Sequence, residues 1–363
     1  MKTTTRLSEA YEGARIELID DSSRYVIMSD CHRGDGSKSD EFLKNKNTYT
    51  AALNYYWRSG FTYVEAGDGD ELWEHDFKHI IRANRAVWEQ LLPFHRAGRF
   101  IRMWGNHDFA LADPQFVRQH LWNAKNVATG EPEPFFDGLE PVEAVVFRVK
   151  ETGQDILLVH GHQGDLPNDQ AWRFSRFMMR AFWRYAHAFG FHSPTSPVAN
   201  ADKRHKVERN YTKWISQNRV ALICGHTHRE RFPRDGAVPY FNSGSCVYPS
   251  HITALEIEGA KISLVRWRVD PNEDAVLEVT RRVMAGPEPL SRVLLADGVR
   301  EHAQEAHDRG AVRPVEGGER DLLTPHELGH RGVDLGDARS GEGDDDATAV
   351  ARVGAALNVA ALP

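Results

Sequence analysis

Five short stretches of this 363-residue chain each set a carboxylate, imidazole or amide just after an apolar run: Asp30-Cys31-His32, Gly67-Asp68-Gly69-Asp70-Glu71, Gly105-Asn106-His107-Asp108, His160-Gly161-His162 and Gly225-His226-Thr227-His228. Aspartate, histidine and asparagine in mixed oxygen–nitrogen sets suit divalent ions such as Mn, Fe or Zn. Seven candidate ligands, Asp30, His32, Asp68, Asn106, His160, His226 and His228, exceed the needs of one tetrahedral site. They suit two ions sharing one carboxylate, at the roughly 3.5–4 Å separation of two-metal centres. Such a pair clamps a phosphoryl group and brings the pKa of bound water down to about 7. In D-x-H and H-x-H, alternate residues of an extended segment point to the same side, so both side chains can reach one cleft.

Each element alone is weak. D-x-H recurs by chance, a lone histidine is more often a surface or satisfied core residue, and Gly-Asn-His-Asp reads equally as a turn. The ordered set, each member following an apolar strand, is what points to chemistry.

The positioning elements follow from periodicity. YVIMSD (25–30), FTYVEAGD (61–68) and RFIRMWGNHD (99–108) read as buried strands, separated by helical spacing over 40–58, stopped by Gly60, and over 77–97. VEAVVFRVK (142–150), DILLVHGH (155–162), ALICGHTH (221–228), YFNSGSCV (240–247) and the hairpin pair 252–258 and 261–269 read as further strands. Early β-α-β alternation followed by late hairpins predicts an α/β fold with mixed sheets and covering helices. Ligands in open α/β sheets gather beyond the carboxyl ends of strands, where all five stretches lie.

The expected organisation is a polar lead-in over 1–20, one domain over 21–283 with a helical cap insertion at about 166–218, and a low-complexity, largely disordered tail over 284–363. The tail is rich in Gly, Asp, Arg and Ala and contains GDARSGEGDDD (336–346). It also holds His326-Glu327-Leu328-Gly329-His330, which matches the HExxH zinc pattern. That mechanism needs a helix, and a glycine inside it costs about 1 kcal/mol; with Pro325 in front, the match is set aside.

The net charge of −7 does not advertise a nucleic-acid partner, and the hydrophobic fraction of 41% allows a real core. Three cysteines without a CxxC pair argue against a disulfide framework and fit a reducing compartment. The start MKTTTRLSEAYEG has no apolar h-region and no run of 18 apolar residues exists, so a cytoplasmic protein is expected. Locally, residues 169–219 hold 10 Lys/Arg against 3 Asp/Glu. On a helical wheel, Arg173, Arg176, Arg180 and Arg184 form one stripe, opposite Phe174, Met178, Phe182, Tyr185 and Phe189. Three readings stand for this cap: a core-packed helix with a solvated basic face, a contact with a membrane surface, or a wall that attracts phosphate or nucleic acid. No obligate protein partner is expected.

With its motifs in this order, the chain resembles the calcineurin-like metallophosphoesterases over roughly residues 24–270. The resemblance implies a four-layer αββα sandwich. It assigns Asp30, His32 and His228 to a first metal, Asn106, His160 and His226 to a second, and Asp68 to the bridge. It makes His107 the histidine that stabilises or protonates the leaving group, with Asp108 orienting it through a carboxylate–imidazole hydrogen bond. It implies two divalent ions, Mn²⁺ first and Fe or Zn as alternatives, and hydrolysis of a phosphomonoester or phosphodiester by a metal-bridging hydroxide. Asn242-Ser243-Gly244-Ser245 resembles the family's Asn-x-Gly-Ser stretch, whose job is structural.

The basic, aromatic insertion and Gly67-Asp68-Gly69-Asp70-Glu71-Leu72-Trp73 are also similar to the UDP-2,3-diacylglucosamine hydrolases of lipid A synthesis. That subgroup usually carries arginine where this chain has His107, so a lipid pyrophosphatase is the alternative. A nuclease with the same metal chemistry is another, and the intact ligand set argues against a non-catalytic scaffold. Among the neighbours, Cys31 is expected to pack away from the metals, and His162 can face either way. Asp70 and Glu71 are expected behind the ligands or capping a loop, and Arg33 either steers phosphate or is solvated.

Overall fold

Strands that bury both faces read as continuous apolar runs, and this chain places several of them side by side. The computed structural model describes residues 2–125, 131–164 and 201–294. Its helices are α1 (Thr3–Glu12), α2 (Lys46–Arg58), α3 (Phe77–Ala83), α4 (Arg85–Arg96), α5 (Pro114–His120) and α6 (Ala201–Asn218). Its strands are β1 (Arg15–Ile19), β2 (Arg24–Met28), β3 (Thr62–Ala66), β4 (Phe100–Met103), β5 (Asn123–Lys125), β6 (Pro132–Pro134), β7 (Ala144–Val149), β8 (Asp155–Val159), β9 (Ala221–Cys224), β10 (Tyr240–Asn242), β11 (His251–Glu258), β12 (Lys261–Pro271) and β13 (Leu277–Pro289).

The fold is mixed α/β. One sheet has the order β13-β12-β11-β2-β3-β4 and the other β1-β7-β8-β9-β10, with β5 and β6 forming a small separate ribbon. β2, β3 and β4 run parallel, as do β8, β9 and β10. β11 and β12 close the first sheet in antiparallel register on β2. Parallel neighbours put their carboxyl ends on one side, which is the requirement for the motifs to meet.

Alternate residues of β2 go to different clusters. Tyr25 and Ile27 join a core shared by both sheets, with Val145, Phe147, Ile156 and Ile223 from the second sheet. Val26 and Met28 join a cluster with Tyr49, Leu53 and Tyr56 of α2 and Trp88 and Leu91 of α4. A third cluster packs Leu7 and Ala10 of α1 and Tyr211, Trp214 and Ile215 of α6 on Val146, Leu157 and Leu222. Among the described residues no helix is long and apolar enough to cross a membrane.

Four sequence expectations need correction. The lead-in is helix α1 followed by β1, which pairs in parallel with β7. The expected cap ends earlier than 218, because α6 packs on the second sheet and buries Trp214, whose indole N–H donates to Ser8 Oγ at 3.0 Å. The expected tail begins later than 284, because β13 continues to Pro289 and pairs with β12. The helical stretch over 77–97 is two helices, meeting at the buried Asn84, whose amide donates to the Gly34 carbonyl at 2.8 Å. The aromatic–arginine stripe at 173–189 and the HExxH match lie outside the described residues.

The placement of α6 carries a measurable consequence. Trp214→Ala removes a fully buried indole from the third cluster, and unfolding in denaturant should then show a loss of about 3–5 kcal/mol. A loss under about 1 kcal/mol, the size of a surface change, would mean that α6 is not packed on the sheet.

Candidate metal centre

The chain leaves β2, β3 and β9 directly into the ligand-bearing loops. There the backbone takes a conformation that L-residues seldom adopt: φ is +53° at Asp30, +46° at His32, +50° at Asp68, +65° at His226 and +49° at His228. Five of the seven candidate ligands therefore sit in the left-handed region, at a cost of order 1–3 kcal/mol each. The D-x-H and H-x-H segments are thus not extended, as the tripeptide argument expected. Their side chains converge because left-handed residues turn the chain at both ends of each tripeptide. Hydrogen bonds between the loops hold that shape: Asp30 N–H to Gly67 O at 3.1 Å, His32 N–H to Asp68 O at 2.9 Å and Gly225 N–H to His160 O at 2.8 Å. Two glycines make the approach possible. A Cβ on Gly67 would lie 2.7 Å from the His160 ring, and one on Gly105 would lie 2.2 Å from Asp68 Oδ1.

The side chains meet as follows. His228 Nε2 is 3.1 Å from Asp30 Oδ1 and 3.1 Å from His32 Nε2. His32 Nε2 is 3.8 Å from both Asp30 Oδ1 and Asp68 Oδ2. His160 Nε2 is 3.0 Å from Asp68 Oδ2 and 4.0 Å from Asp30 Oδ1. Ligand atoms of Asp30, His32 and His228 lie within 4.8 Å of one another, and so do those of Asp68, His160 and His226. His32, Asp68 and His107 form a third such group.

Four buried atoms here meet no hydrogen-bond geometry, Asp30 Oδ1, Asn106 Oδ1, His160 Nε2 and His226 Nε2, although Asp30 Oδ1 and His160 Nε2 lie at ion-pair distance from His228 and Asp68. A buried polar atom without a partner costs about 1–3 kcal/mol. Those of Asp30, His160 and His226 belong to the two ligand groups, and such a set fits a cation, which satisfies oxygen and imidazole nitrogen together. The outer nitrogens are fixed. His160 Nδ1 donates to the Ala66 carbonyl at 3.0 Å, and His32 Nδ1 lies 2.8 Å from Glu71 Oε2. Such partners set which nitrogen faces a metal.

The charges agree with a cation site. Burial opposes ionisation of Asp30, yet the imidazoles of His228 and His160 hold it well below the usual carboxylate range. Asp68 is likewise held low against burial, by His160 and His107. His160 is raised to about 9 against burial, chiefly by Asp68 and Asp30. Burial and the neighbouring charge of His160 push His226 well below its ordinary value, so it is a neutral imidazole.

The partner expected for His107 is a different residue. Glu71, not Asp108, meets the ring: its Oε1 lies 2.8 Å and its Oε2 2.7 Å from His107 Nδ1, and Oε2 also holds His32. Trp73 stacks on the opposite side at a ring separation of 4.2 Å. Asp108 instead accepts the backbone N–H groups of Asp68 (3.2 Å), Gly69 (2.9 Å) and Gly105 (2.7 Å), and it meets Arg102 at 2.7 Å. It ties together the loops that carry Asp68 and Asn106, and its position one residue past His107 turns it away from the ring. Arg33 is neither solvated nor aimed at substrate. It is fully buried, with Asp70 at 2.9 Å and Glu65 at 2.9 Å. Asp70 also meets Arg102 at 2.8 Å.

Sequence reading missed Glu65 and Arg102. The signal was present: one charge in each of two otherwise apolar strands, opposite in sign, and the two are direct partners in the β3–β4 register. Arg102→Met should destabilise the fold by about 3–5 kcal/mol, because three buried carboxylates lose a counter-charge; a melting curve close to wild type would show that the cluster is not needed.

The remaining neighbours are placed as well. Cys31 is buried among α2 and β2 side chains. His162 is buried 5.6 Å from the His160 ring and outside the metal groups. Asn242-Ser243-Gly244-Ser245 braces the site from behind. Asn242 donates to Gly225 O at 2.8 Å, Ser243 Oγ meets Ser29 Oγ at 2.8 Å, and Ser245 Oγ donates to Asp30 O at 3.1 Å. The open side is marked by His107, 20% exposed, and His228, 15%, whereas Asp30 and His160 are at 0%. No protein-family model and no curated protein matches the chain.

Proposed function

We propose that this chain is a two-metal phosphoester hydrolase, acting on a phosphomonoester or phosphodiester, with the two sheets and their outer helices as the αββα sandwich of the metallophosphoesterases. The observation that carries the proposal is the pair of buried ligand groups, Asp30/His32/His228 and Asp68/His160/His226, in each of which the ligand atoms lie within 4.8 Å of one another. Asp30, His32 and His228 would hold one ion, Asn106, His160 and His226 the other, and Asp68 would serve both. Two divalent ions there, Mn²⁺ in the first instance, supply Lewis acidity to phosphoryl oxygens and acidify a water.

The chain's own groups do the rest. His107 stands on the open side, its Nδ1 held by Glu71 and its ring held flat by Trp73. Its Nε2 is left to face a substrate. Against burial, Glu71 raises the His107 pKa, which favours the protonated ring. That is the state needed to protonate a departing oxygen. The buried ligands lie deep and the substrate approaches past His228 and His107.

The test is a turnover screen with metal-stripped protein, with and without Mn²⁺, over phosphomonoesters, phosphodiesters, nucleic acids and UDP-linked lipids. Metal-dependent hydrolysis of at least one class is expected. Protein that takes up metal yet hydrolyses none of the four would leave a metal-binding scaffold as the better description.

A further inference from the structure

Among the described residues, β13 is the outermost strand of the six-stranded sheet and is paired on one side alone, with β12. It runs for 13 residues, and its pairing is unbroken from Leu277 opposite Pro271 to Val283 opposite Val265. A long regular edge with apolar side chains is a template for another strand. Here the apolar side chains are Leu277, 70% exposed, and Val283, 45%.

We propose that two copies of the chain associate edge to edge through β13, antiparallel about a two-fold axis at Thr280. A two-fold contact uses the same patch twice, so the strand must complement itself. About Thr280 it does. Glu278 falls opposite Arg282 of the second copy, twice by symmetry, and Leu277 falls opposite Val283, also twice. Side chains alternate between faces along a strand, so Glu278 and Arg282 share one face and Leu277 and Val283 the other. Neither charge is closely paired within the chain. Glu278 has no ion pair among the described residues, and Arg282, 64% exposed, reaches Asp270 only at 3.5 Å.

The alternatives are worse. Keeping the faces matched restricts the axis to a residue, and a shift to Val279 sets Leu277 opposite Arg281. A shift to Arg281 sets that arginine against its own copy. Of these three axes, that at Thr280 alone pairs opposite charges, and it also joins Leu277 to Val283, while setting Val279 opposite Arg281. β13 holds none of the candidate metal ligands, so the association is independent of the chemistry proposed above.

Charge reversal tests the register in the full chain. Sedimentation velocity over a range of concentrations should show a monomer–dimer equilibrium. Glu278→Lys alone and Arg282→Glu alone should each weaken the dimer by about tenfold or more, since each places like charges face to face twice. The double variant Glu278→Lys/Arg282→Glu should recover the wild-type dissociation constant to within a few-fold. Melting curves and bound metal of Glu278→Lys should match wild type, which separates loss of association from loss of fold, whereas Arg282→Glu also loses its contact with Asp270 and is judged by its rescue in the double variant. A full chain that stays monomeric at every concentration overturns the proposal, including the case in which residues after 294 occupy the edge instead. A dimer that ignores both single reversals, or that the double variant fails to restore, places the interface elsewhere and overturns it equally.

Discussion

Asp68→Asn is expected to abolish turnover and to deplete bound metal at both positions. The reason is the place of this one carboxylate. Its Oδ2 lies 3.0 Å from His160 Nε2 and 3.8 Å from His32 Nε2, so it borders both ligand groups. Its Oδ1 accepts the His107 N–H at 2.8 Å. The amide keeps the size and one carbonyl oxygen, so the loop can still fold. It removes one of the only two carboxylates among the seven ligands, and with it half of the negative charge that a pair of dications would meet. A fall in rate of at least about 10³-fold, equivalent to about 4 kcal/mol, should follow. Metal analysis after gel filtration should show well under one ion per chain. A variant with a full metal complement and more than a tenth of wild-type activity would remove Asp68 from the bridging role.

His107→Ala is expected to behave differently. It should slow turnover by about 10²–10⁴-fold while metal stays bound. His107 stands on the open side, and its Nδ1 is committed to Glu71. The ligand groups Asp30/His32/His228 and Asp68/His160/His226 are complete without it. The loss should also depend on the leaving group: esters of acidic alcohols need no proton and should suffer least. Metal loss comparable to that of Asp68→Asn would make His107 a ligand, in line with the third group it forms with His32 and Asp68. Glu71→Gln should reproduce part of the same rate loss, whereas Asp108→Asn should act on stability through the loops it ties.

How much of this was legible in the sequence differs from residue to residue. The seven candidate ligands could be picked out because each follows an apolar run and parallel strands deliver such ends to one side. The partner of His107 could not. Glu71 lies 36 positions away in sequence, whereas Asp108 is adjacent, and adjacency gives no information about which way a side chain points. The left-handed backbone at Asp30, His32, Asp68, His226 and His228 was equally hidden, because aspartate and histidine, though enriched at positive φ, still mostly adopt negative φ. It emerges only from the inter-loop hydrogen bonds that force it.

The ends of the domain were misread for compositional reasons. α1 buries just Thr3, Leu7 and Ala10, too thin a stripe to stand out in MKTTTRLSEAYEG. β13 is an edge strand whose side chains are half polar, so MAGPEP looked like the start of a tail. α6 was grouped with a basic insertion because its lysines and arginines dominate the composition, while Tyr211, Trp214 and Ile215 decide where it packs.

The most direct measurement is anomalous diffraction at the manganese edge from crystals grown with Mn²⁺. Two peaks roughly 3.5–4 Å apart are expected, one beside Asp30, His32 and His228 and one beside Asn106, His160 and His226, with Asp68 between them. A single peak, or a pair lying away from these side chains, would contradict the two-metal centre.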